Sequence, residues 1–496
     1  MTEHLRDFDP DDVTVRSGHY IGGRYVASDA DTLAVRRPSD AKTYAHLPEA
    51  GEAGVDTAVA NAEAALARSG WSRRAPRERA RVMRRWADLI ETDEQLILLE
   101  CIGSTRPIAE ATVQDIPFTA EAIRFFAEYA DKLGGEVAAT RTDALGFVVA
   151  EPFGVIGAIT PWNFPLSMAS WKCGPALAAG NAIVLKPSEL TPFSTLRMAE
   201  LAVEAGIPPG VFNVVQGSGA DTGAALVRHP GIGKISFTGS SATGQRIMAD
   251  VGTHGVKPVT LELGGKSPQL VFDDVPDFEH VAQCIVRGFT ANGGQACISG
   301  SRLIAHERIA EPLVNRVVEI IGHLRPGPMW SSDTAYSPAI GTTQAAKIDR
   351  LVDAARQDGA TVVTGGSFFD QGPGGAFYRP TVLSGVDERM AVVREEVFGP
   401  VLTVQTFTDE AEGIALADHL HYGLAAGVHS RDIGQAMRAM RAIAAGTVWI
   451  NRYGRSRDLA LPTGGYKGSG IGKDLGRQAF DACQRHKTVL VDFDAA

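Results

Sequence analysis

The sequence predicts an α/β fold in which parallel sheets are covered by helices. From about residue 143, short apolar runs alternate with amphipathic segments, which is typical of strands and helices that follow one another along a parallel sheet. A second alternating region begins near residue 266, and the length of 496 residues favours more than one domain. No clear linker or repeat marks the boundary near residue 265.

The elements are predicted in chain order from their apolar periodicity. Three helices come first, at 55–67, 75–100 and 116–132. Strands follow at 153–160, 181–187, 212–217 and 234–239, each with a helix after it, at 166–179, 195–206, 221–229 and 241–252. The second region gives strand 267–272, helix 279–291, strand 302–306, helix 309–324 and strand 361–366. The last segment, HKTVLVDF (486–493), is predicted to be a lone strand that must pair with something, a partner subunit being one possibility.

Charge and composition argue against several classes of protein. A formal net charge of −10 and a pI near 5.7 argue against a general nucleic-acid binder, which would carry a basic face. We expect no membrane span, because no stretch approaches the roughly 20 apolar residues required, and the polar start is unlike a signal peptide. The five cysteines are odd in number and scattered, so we expect no disulfide framework, no metal site and a reducing, cytoplasmic setting.

Three turns suggest where a nucleotide could bind. GSGADTG (217–223) follows a predicted strand, but it is one residue longer than the GxGxxG fingerprint. FTGSSATG (237–244) places Ser240 near a helix start, where backbone N–H groups could receive a phosphate. In KPSE (186–189), Lys186 and Glu189 could hydrogen-bond ribose hydroxyls at the end of a strand. Taken singly, packing geometry explains the glycine turns and a solvated charged turn explains KPSE.

Five further motifs favour a nucleotide site over packing geometry and a solvated turn. They are PWNFP (161–165), LELGGK (261–266), GQAC (294–297), EEVFGP (395–400) and GGYKGSG (464–470). In this order, and together with KPSE, they resemble the aldehyde dehydrogenase superfamily, in its NAD(P)-dependent hydrolytic branch, from about residue 20 to 493. The resemblance implies a Rossmann-like cofactor domain (1–134 and 154–264), an α/β catalytic domain (265–479) and a small β oligomerisation element (135–153 and 480–496). It also implies a homodimer or homotetramer.

The resemblance further implies how a dinucleotide would bind. Gly239 and Ser240 would hold the pyrophosphate, Lys186 and Glu189 the ribose. The other positions carried over as cofactor-binding are Ile159, Trp162, Gly219, Gly223, Leu263, Glu396 and Phe398. We expect NAD as the cofactor, with NADP possible but less favoured, because the charge of Glu189 would repel a 2′-phosphate.

The expected chemistry begins with a nucleophile. A free aldehyde carbon is a poor hydride donor until a nucleophile adds to it, because direct hydride loss would leave an acylium ion. Cysteine suits this step, since its thiolate is strongly nucleophilic and the resulting thioester can hydrolyse. We assign the role to Cys297 in GQAC, and we expect the start of a following helix to lower its pKa. By resemblance, Asn163 and the backbone N–H of Cys297 would stabilise the oxyanion.

By the same resemblance, Glu262 in LELGG would activate the water that hydrolyses the thioester, with its pKa raised by partial burial. Two other functions remain open. One is a coenzyme A-acylating semialdehyde dehydrogenase, which Glu262 disfavours because that branch lacks a glutamate there. The other is a retired enzyme kept as a binding or structural protein, which would not require Cys297, Glu262 and Asn163 all to be present.

The substrate pocket is also carried over from the motifs. Phe164, Met168 and Trp171 would form an apolar wall, whereas Ser456 and Thr463 stand where aromatic residues are common. Ser167 and Ala291 depart from the aromatic pattern in the same direction. We therefore expect a pocket for bulky or polar aldehydes. Arg455 could pair with a substrate carboxylate, an acidic semialdehyde being one candidate. For any one of the loop arginines Arg452, Arg455 and Arg457, facing solvent, Asp458 or a neighbouring subunit is the more common arrangement.

Overall fold

In a computed structural model, which describes residues 7–27, 32–369 and 374–493, the first alternating region forms a sheet of eight strands. Their spatial order is Arg24–Val26, His19–Ile21, Phe212–Val214, Ala182–Lys186, Val155–Ile159, Ile232–Thr238, Val259–Glu262 and Gly470–Ile471. The five central strands are parallel, whereas the pairings at the two edges are antiparallel. The chain order reverses between Val155–Ile159 and Ile232–Thr238, and ligands bind beyond the carboxyl ends of strands at such a switch point.

Helices cover this sheet, and the periodicity predicted most of them. They are Gly51–Ser69, Pro76–Thr92, Glu94–Gly103, Ile108–Glu110, Ile116–Tyr129, Pro165–Ala178, Phe193–Ala205, Ala224–Arg228, Ser241–His254 and Gly476–Asp481. The helix predicted at 75–100 is two helices. Asp93 adopts an extended conformation between them, and its carboxylate accepts a hydrogen bond from the backbone N–H of Leu96 at 2.9 Å, which starts the second helix.

The second alternating region forms a sheet of seven strands. Their order is Thr361–Thr364, Thr381–Ser384, Val401–Phe407, Arg302–His306, Pro268–Val271, Ala425–His429 and Thr447–Ile450, and all neighbours except the first pair are parallel. Its helices are Phe278–Thr290, Glu307–Ile321, Thr342–Gln357, Ala391–Arg394, Glu410–Ala417 and Ile433–Ala442. Two smaller antiparallel sheets have two strands each. They pair Thr32–Arg36 with Thr43–Pro48 and Tyr422–Gly423 with Tyr466–Lys467. The α/β fold class is confirmed.

The C-terminal strand pairs within its own chain. Gln484–Asp492 runs antiparallel to Ala144–Pro152 over nine residue pairs, and Glu136–Ala138 completes a three-stranded sheet. The strand therefore starts two residues earlier than predicted and does not need a partner subunit for its pairing. Apolar side chains remain exposed on this sheet and just after it, with Val137 77 % and Phe493 62 % accessible.

One stretch returns from the second region to the first. Gly470–Ile471 pairs with the Val259–Glu262 strand, and the buried side chains of Leu459, Leu475 and Phe480 belong to the first hydrophobic core. All of these residues except Phe480 fall inside 265–479, the range assigned to the catalytic domain from the sequence, and Phe480 begins the range assigned to the oligomerisation element. The division into domains thus stays a prediction, with this stretch packed against the other region. No helix in the described part of the chain is both long and apolar enough to cross a membrane.

Candidate active site

The loops that follow three neighbouring strands of the first sheet meet at one end of it. PWNFP follows Val155–Ile159, Gly239 and Ser240 follow Ile232–Thr238, and Glu262 ends its own strand. A cavity of about 1190 Å³ opens at this edge, between the two large sheets. The predicted site residues that line it are Trp162, Asn163, Phe164, Met168, Trp171, Gly239, Ser240, Leu263, Cys297, Glu396, Phe398, Arg455 and Ser456.

The turn before Cys297 is built from left-handed residues. Asn292, Gly293 and Gly294 have φ values of 54°, 61° and 73°. A Cβ on Gly294 would lie 2.2 Å from the carbonyl oxygen of Gly399, so only glycine fits there. Gln295 then anchors the loop, because its amide donates to the carbonyl oxygens of Asn292 and Pro338, each at 2.9 Å. The chain is thereby turned so that half-buried Cys297 faces the cavity.

The prediction that a helix follows Cys297 is wrong. Cys297 lies in a turn that leads directly to the Arg302–His306 strand, so no helix dipole acts on its thiol. The pKa of Cys297 is instead raised to about 11, chiefly by burial, and the negative charges of Glu262 and Glu396 act in the same direction. The guanidinium of Arg455 opposes this effect and lowers the pKa.

This pKa gives a testable pH dependence. Since only the thiolate reacts with iodoacetamide, the rate of Cys297 alkylation in the protein without added cofactor is expected to rise about tenfold per unit from pH 7 to pH 10. Mass spectrometry of the peptide that contains Cys297 measures this rate, with the Cys297→Ala variant as the blank. A rate that reaches its plateau near pH 8 would contradict the raised pKa.

Asn163 is held against the loop that carries Cys297. It is buried, and its side-chain amide donates to the carbonyl oxygen of Gln295 at 3.0 Å. The amide of Asn292 donates to the carbonyl oxygen of Asn163 at 2.9 Å, and Thr105 donates to the other end of Asn292 at 2.6 Å. An amide nitrogen carries two N–H groups, so Asn163 keeps one donor beyond its bond to Gln295.

Glu262 lies behind the cavity rather than on its surface. Its side chain is buried, one carboxylate oxygen has no hydrogen-bond partner, and a Cβ on Gly464 would lie 2.5 Å from that oxygen. Burial and the charge of Asp474 raise the pKa of Glu262 well above its usual range, while Lys172, Arg455 and Lys473 lower it. The carboxyl group is therefore suited to hold a proton at neutral pH.

The two glycines of LELGGK allow two close approaches. A Cβ on Gly264 would lie 2.3 Å from a carboxylate oxygen of Glu396, and one on Gly265 would lie 2.5 Å from the carbonyl oxygen of Cys297. The backbone N–H of Gly265 also donates to Glu396 at 3.0 Å. Side chains at these positions would separate the Cys297 loop and Glu396 from the end of the strand.

The predicted cofactor residues form two groups. Near Cys297, the rings of Trp162 and Phe398 meet edge to face with centroids 5.2 Å apart, and Ile159 is buried in the strand that precedes Trp162. The second group lies outside this cavity. There Lys186 donates to the carbonyl oxygens of Pro187 and Gly217, at 2.8 and 2.7 Å, and lies 3.3 Å from Glu189.

The two remaining glycines, Gly219 and Gly223, lie in the turn after the Phe212–Val214 strand. A Cβ on Gly223 would contact the stem of Lys186 at 3.7 Å, so this glycine is close to the ammonium group. A Cβ on Gly219 would meet no atom within 4 Å, so the turn presents an open surface there. Both glycines belong to a π-helical segment, Gly219–Gly223, which precedes the Ala224–Arg228 helix.

Most of the predicted substrate residues line the same large cavity. Phe164, Met168 and Trp171 form one wall, and Arg455 lies with its guanidinium carbon 4.4 Å from the centre of the Trp171 ring. Thr463 does not line the cavity. It is buried behind Arg455 and accepts a hydrogen bond from that side chain at 2.9 Å.

Several residues of the cavity were not predicted from the sequence. Arg106 lies over the ring of Phe164 at 4.7 Å and is paired with Asp115 at 2.7 Å. Tyr453 donates to the carbonyl oxygen of Ile298, next to Cys297, at 2.7 Å. Arg106 follows a helix far from every motif, so no pattern in the sequence pointed to it. Tyr453 lies two residues before Arg455, in the same loop, but its residue type and position match no motif.

Comparisons with known proteins agree with this geometry. Residues 25–489 match the model of the aldehyde dehydrogenase family. An aldehyde dehydrogenase of Alternaria alternata is 39 % identical over 477 residues, 96 % of this chain and 95 % of that protein. The NADP/NAD-dependent aldehyde dehydrogenase PuuC of Escherichia coli K12 is 39 % identical over 479 residues, 96 % of each chain.

Solved structures match equally well. A crystal structure of an indole-3-acetaldehyde dehydrogenase with NAD⁺ superposes with a TM-score of 0.95 at 39 % identity, covering 97 % of this chain and 98 % of that one. The aldehyde dehydrogenase KauB of Pseudomonas aeruginosa superposes with a TM-score of 0.94 at 38 % identity, with the same coverage. The match runs through both large sheets and through every motif around Cys297, and the chain accordingly belongs to the aldehyde dehydrogenase family.

Proposed function

We propose that the protein oxidises an aldehyde to the free carboxylic acid with NAD, through a thioester on Cys297. The observation that carries this proposal is the single cavity that joins three features. Cys297 and Asn163 line it, and so do the turn at Gly239 and Ser240 and the aromatic wall with Trp171. A nucleophile, an oxyanion donor and two separate binding surfaces are what the reaction requires.

The first step is addition. The thiolate of Cys297 attacks the aldehyde carbon, a C–S bond forms, and the carbonyl oxygen becomes an oxyanion. The free N–H of Asn163 and the backbone N–H of Cys297 donate to that oxygen as its charge develops. NAD, when bound, would supply the acceptor for the hydride that leaves the same carbon, and Cys297 would then carry the thioester.

The second step is hydrolysis. Glu262 takes a proton from water, the hydroxide adds to the thioester carbon, and the C–S bond breaks to release the acid and the thiolate. Because the carboxyl group lies behind the cavity, we propose that it turns towards Cys297 for this step. Its raised pKa makes its carboxylate a stronger base than that of an exposed glutamate. A base at this position favours water over coenzyme A as the acceptor of the acyl group.

The residues proposed for the cofactor fit a dinucleotide. Ser240 caps the Ser241–His254 helix by accepting from the backbone N–H of Thr243 at 3.2 Å, which leaves the first N–H groups of the helix directed at the turn. The NAD⁺ complex of the indole-3-acetaldehyde dehydrogenase and the name of PuuC, which covers both cofactors, support a nicotinamide dinucleotide.

Glu189 supports a preference for NAD over NADP. Its side chain is 38 % accessible, so its carboxylate can accept from ribose hydroxyls and would repel a 2′-phosphate. Lys186 does not offset this repulsion, because its ammonium group already donates to Pro187 and Gly217 and lies beside Glu189. With its donors occupied, this lysine would need to break existing bonds to hold a phosphate.

The substrate proposed is a bulky or polar aldehyde. Ser167, Ala291 and Ser456 line the cavity with small or polar side chains, and Phe164, Met168 and Trp171 supply its apolar wall. We also propose a cytoplasmic homo-oligomer, dimer or tetramer, with residues 135–153 and 480–496 as the oligomerisation element. The exposed Val137, Leu490 and Phe493 support an association through this sheet.

The test measures NADH formation at 340 nm with acetaldehyde and benzaldehyde, using NAD and NADP in turn. We expect turnover with both aldehydes and a kcat/KM that is roughly tenfold higher with NAD, because one like-charge contact opposes NADP. In the presence of coenzyme A, the product is expected to be the free acid. Absence of reduced cofactor would contradict the proposed oxidation, and an acyl-coenzyme A product would contradict hydrolysis.

A further inference from the structure

Four arginines line the cavity without a carboxylate of the described residues in direct contact with them. Arg455 lines it together with Cys297, and Arg287, Arg452 and Arg457 are exposed around it. Within the described ranges, none of these four arginines has a carboxylate oxygen within 4.0 Å. Of the acids that line the cavity, Glu110 and Asp115 are both paired with Arg106, and Glu396 accepts from the backbone N–H of Gly265. This positive surface stands out in a chain whose net charge is −10.

Arg455 is the member of this group that the protein holds in place. It is half-buried, its guanidinium stacks on Trp171 at 4.4 Å, and one nitrogen donates to Thr463 at 2.9 Å. These two contacts fix the plane of the guanidinium and use one of its five N–H groups. The other N–H groups have no acceptor in the described part of the chain, and an arginine fork of this kind matches the two oxygens of a carboxylate.

We propose that the substrate is an aldehyde that carries a carboxylate, and that Arg455 binds this carboxylate while the aldehyde carbon contacts Cys297. A half-buried cation without a counter-ion is costly, and an anionic substrate would supply the missing partner in each turnover. The aromatic wall around Trp171 would cover the carbon chain between the two ends of the substrate. This inference rests on the proposed oxidation and specifies the class of aldehyde.

A second effect of Arg455 must be separated from binding. Its charge lowers the pKa of both Cys297 and Glu262, so its removal would slow the reaction of every aldehyde. That loss is common to all substrates, whereas a lost contact with a carboxylate affects only those that carry one. The ratio of kcat/KM for a charged and a neutral aldehyde of the same shape therefore isolates the binding contribution.

The experiment compares 4-carboxybenzaldehyde with 4-formylbenzamide, which replaces the carboxylate by a neutral amide. The wild type is expected to prefer the carboxylate by at least about tenfold in kcat/KM, and Arg455→Gln to lower that preference by about 10- to 100-fold. Arg455→Lys keeps the charge but loses the fork, so its preference is expected to lie between these two. The Lys variant also keeps the test valid if the Gln variant does not fold.

The matched control is Arg457→Gln, which removes an exposed arginine from the same loop. Arg457 donates to the carbonyl oxygen of Val113 at 2.7 Å, at the surface. We expect this variant to change the preference by less than about threefold, since exposed charges are screened by solvent. An equal fall in both variants would show general attraction at the mouth and would overturn anchoring by Arg455.

Two further outcomes would overturn the inference while leaving the proposed oxidation intact. One is a wild-type enzyme that oxidises both aldehydes without preferring the carboxylate. The other is an Arg455→Gln variant that loses rate with both aldehydes and keeps the wild-type ratio, which would assign Arg455 to the thiolate alone. If neither aldehyde, nor acetaldehyde, yields NADH in the wild type, the proposed function itself fails.

Discussion

Replacing Cys297 with alanine is expected to lower kcat for aldehyde oxidation by at least about 10⁴-fold, as removal of an enzymatic nucleophile generally does. Without the sulfur no covalent adduct forms, and the aldehyde carbon cannot release a hydride. Binding of NAD is expected to persist, because Cys297 is only half-buried and the loop is anchored by Gln295 and Asn292 rather than by the thiol. Steady-state assays and calorimetric titration with NAD measure the two properties.

The control for this variant is Cys101→Ala. Cys101 is a fully buried cysteine that packs with Ile108 and Met329 and does not line the large cavity. Its replacement is expected to leave kcat within about threefold of the wild type while costing about 1 kcal/mol of stability. Turnover by the Cys297 variant at a rate near that of the wild type would remove Cys297 from the mechanism.

Replacing Glu262 with glutamine is expected to separate the two halves of the reaction. Addition and hydride transfer need no base at this position, so about one NADH per subunit should form in a burst. Steady-state turnover should then fall by about 10²- to 10⁴-fold, because no group remains to activate water. Glutamine has nearly the same shape as glutamate. One carboxylate oxygen of Glu262 is buried without a hydrogen-bond partner, so the substitution breaks no hydrogen bond at that oxygen.

Stopped-flow absorbance at 340 nm and mass spectrometry of the trapped thioester measure this separation. The wild-type rate of hydrolysis is expected to rise with pH through the raised pKa of Glu262, since only the deprotonated carboxylate can accept a proton. The glutamine variant should lose that rise. Undiminished steady-state turnover would exclude Glu262 as the base, and the Cys297→Ala variant, which forms no thioester, should show no burst.

Much of the fold follows from local patterns in the sequence. The strands Val155–Ile159, Ala182–Lys186 and Ile232–Thr238 are short apolar runs between amphipathic helices, and their order places the motif-bearing loops at one edge. The break at Asp93 was missed because the apolar spacing continues across it. The helix expected after Cys297 was wrong, because a small, apolar stretch after a glycine turn suits a tight turn into a strand equally well.

The parts of the site that could not be predicted depend on contacts between distant residues. Thr105 and Asn292 are 187 residues apart, and their hydrogen bond helps to hold Asn163. No periodicity encodes such a contact. The direction of Arg455 was likewise undetermined, because residues 451–463 form a loop in which neither helical nor strand spacing fixes where a side chain points. In the structure, the stacking of the Arg455 guanidinium on the Trp171 ring sets the direction of this side chain.

The pairing of Gln484–Asp492 with Ala144–Pro152 has a consequence for synthesis of the protein. The Ala144–Pro152 strand is synthesised more than 300 residues before the Gln484–Asp492 strand with which it pairs. At about 5–20 residues per second, that strand waits for tens of seconds with an unpaired edge and exposed apolar side chains. The hydrophobic core of the first region is also incomplete during this time, because Leu475 and Phe480 are part of it. The chain therefore completes this sheet and the first core only after the residues up to Asp492 have left the ribosome.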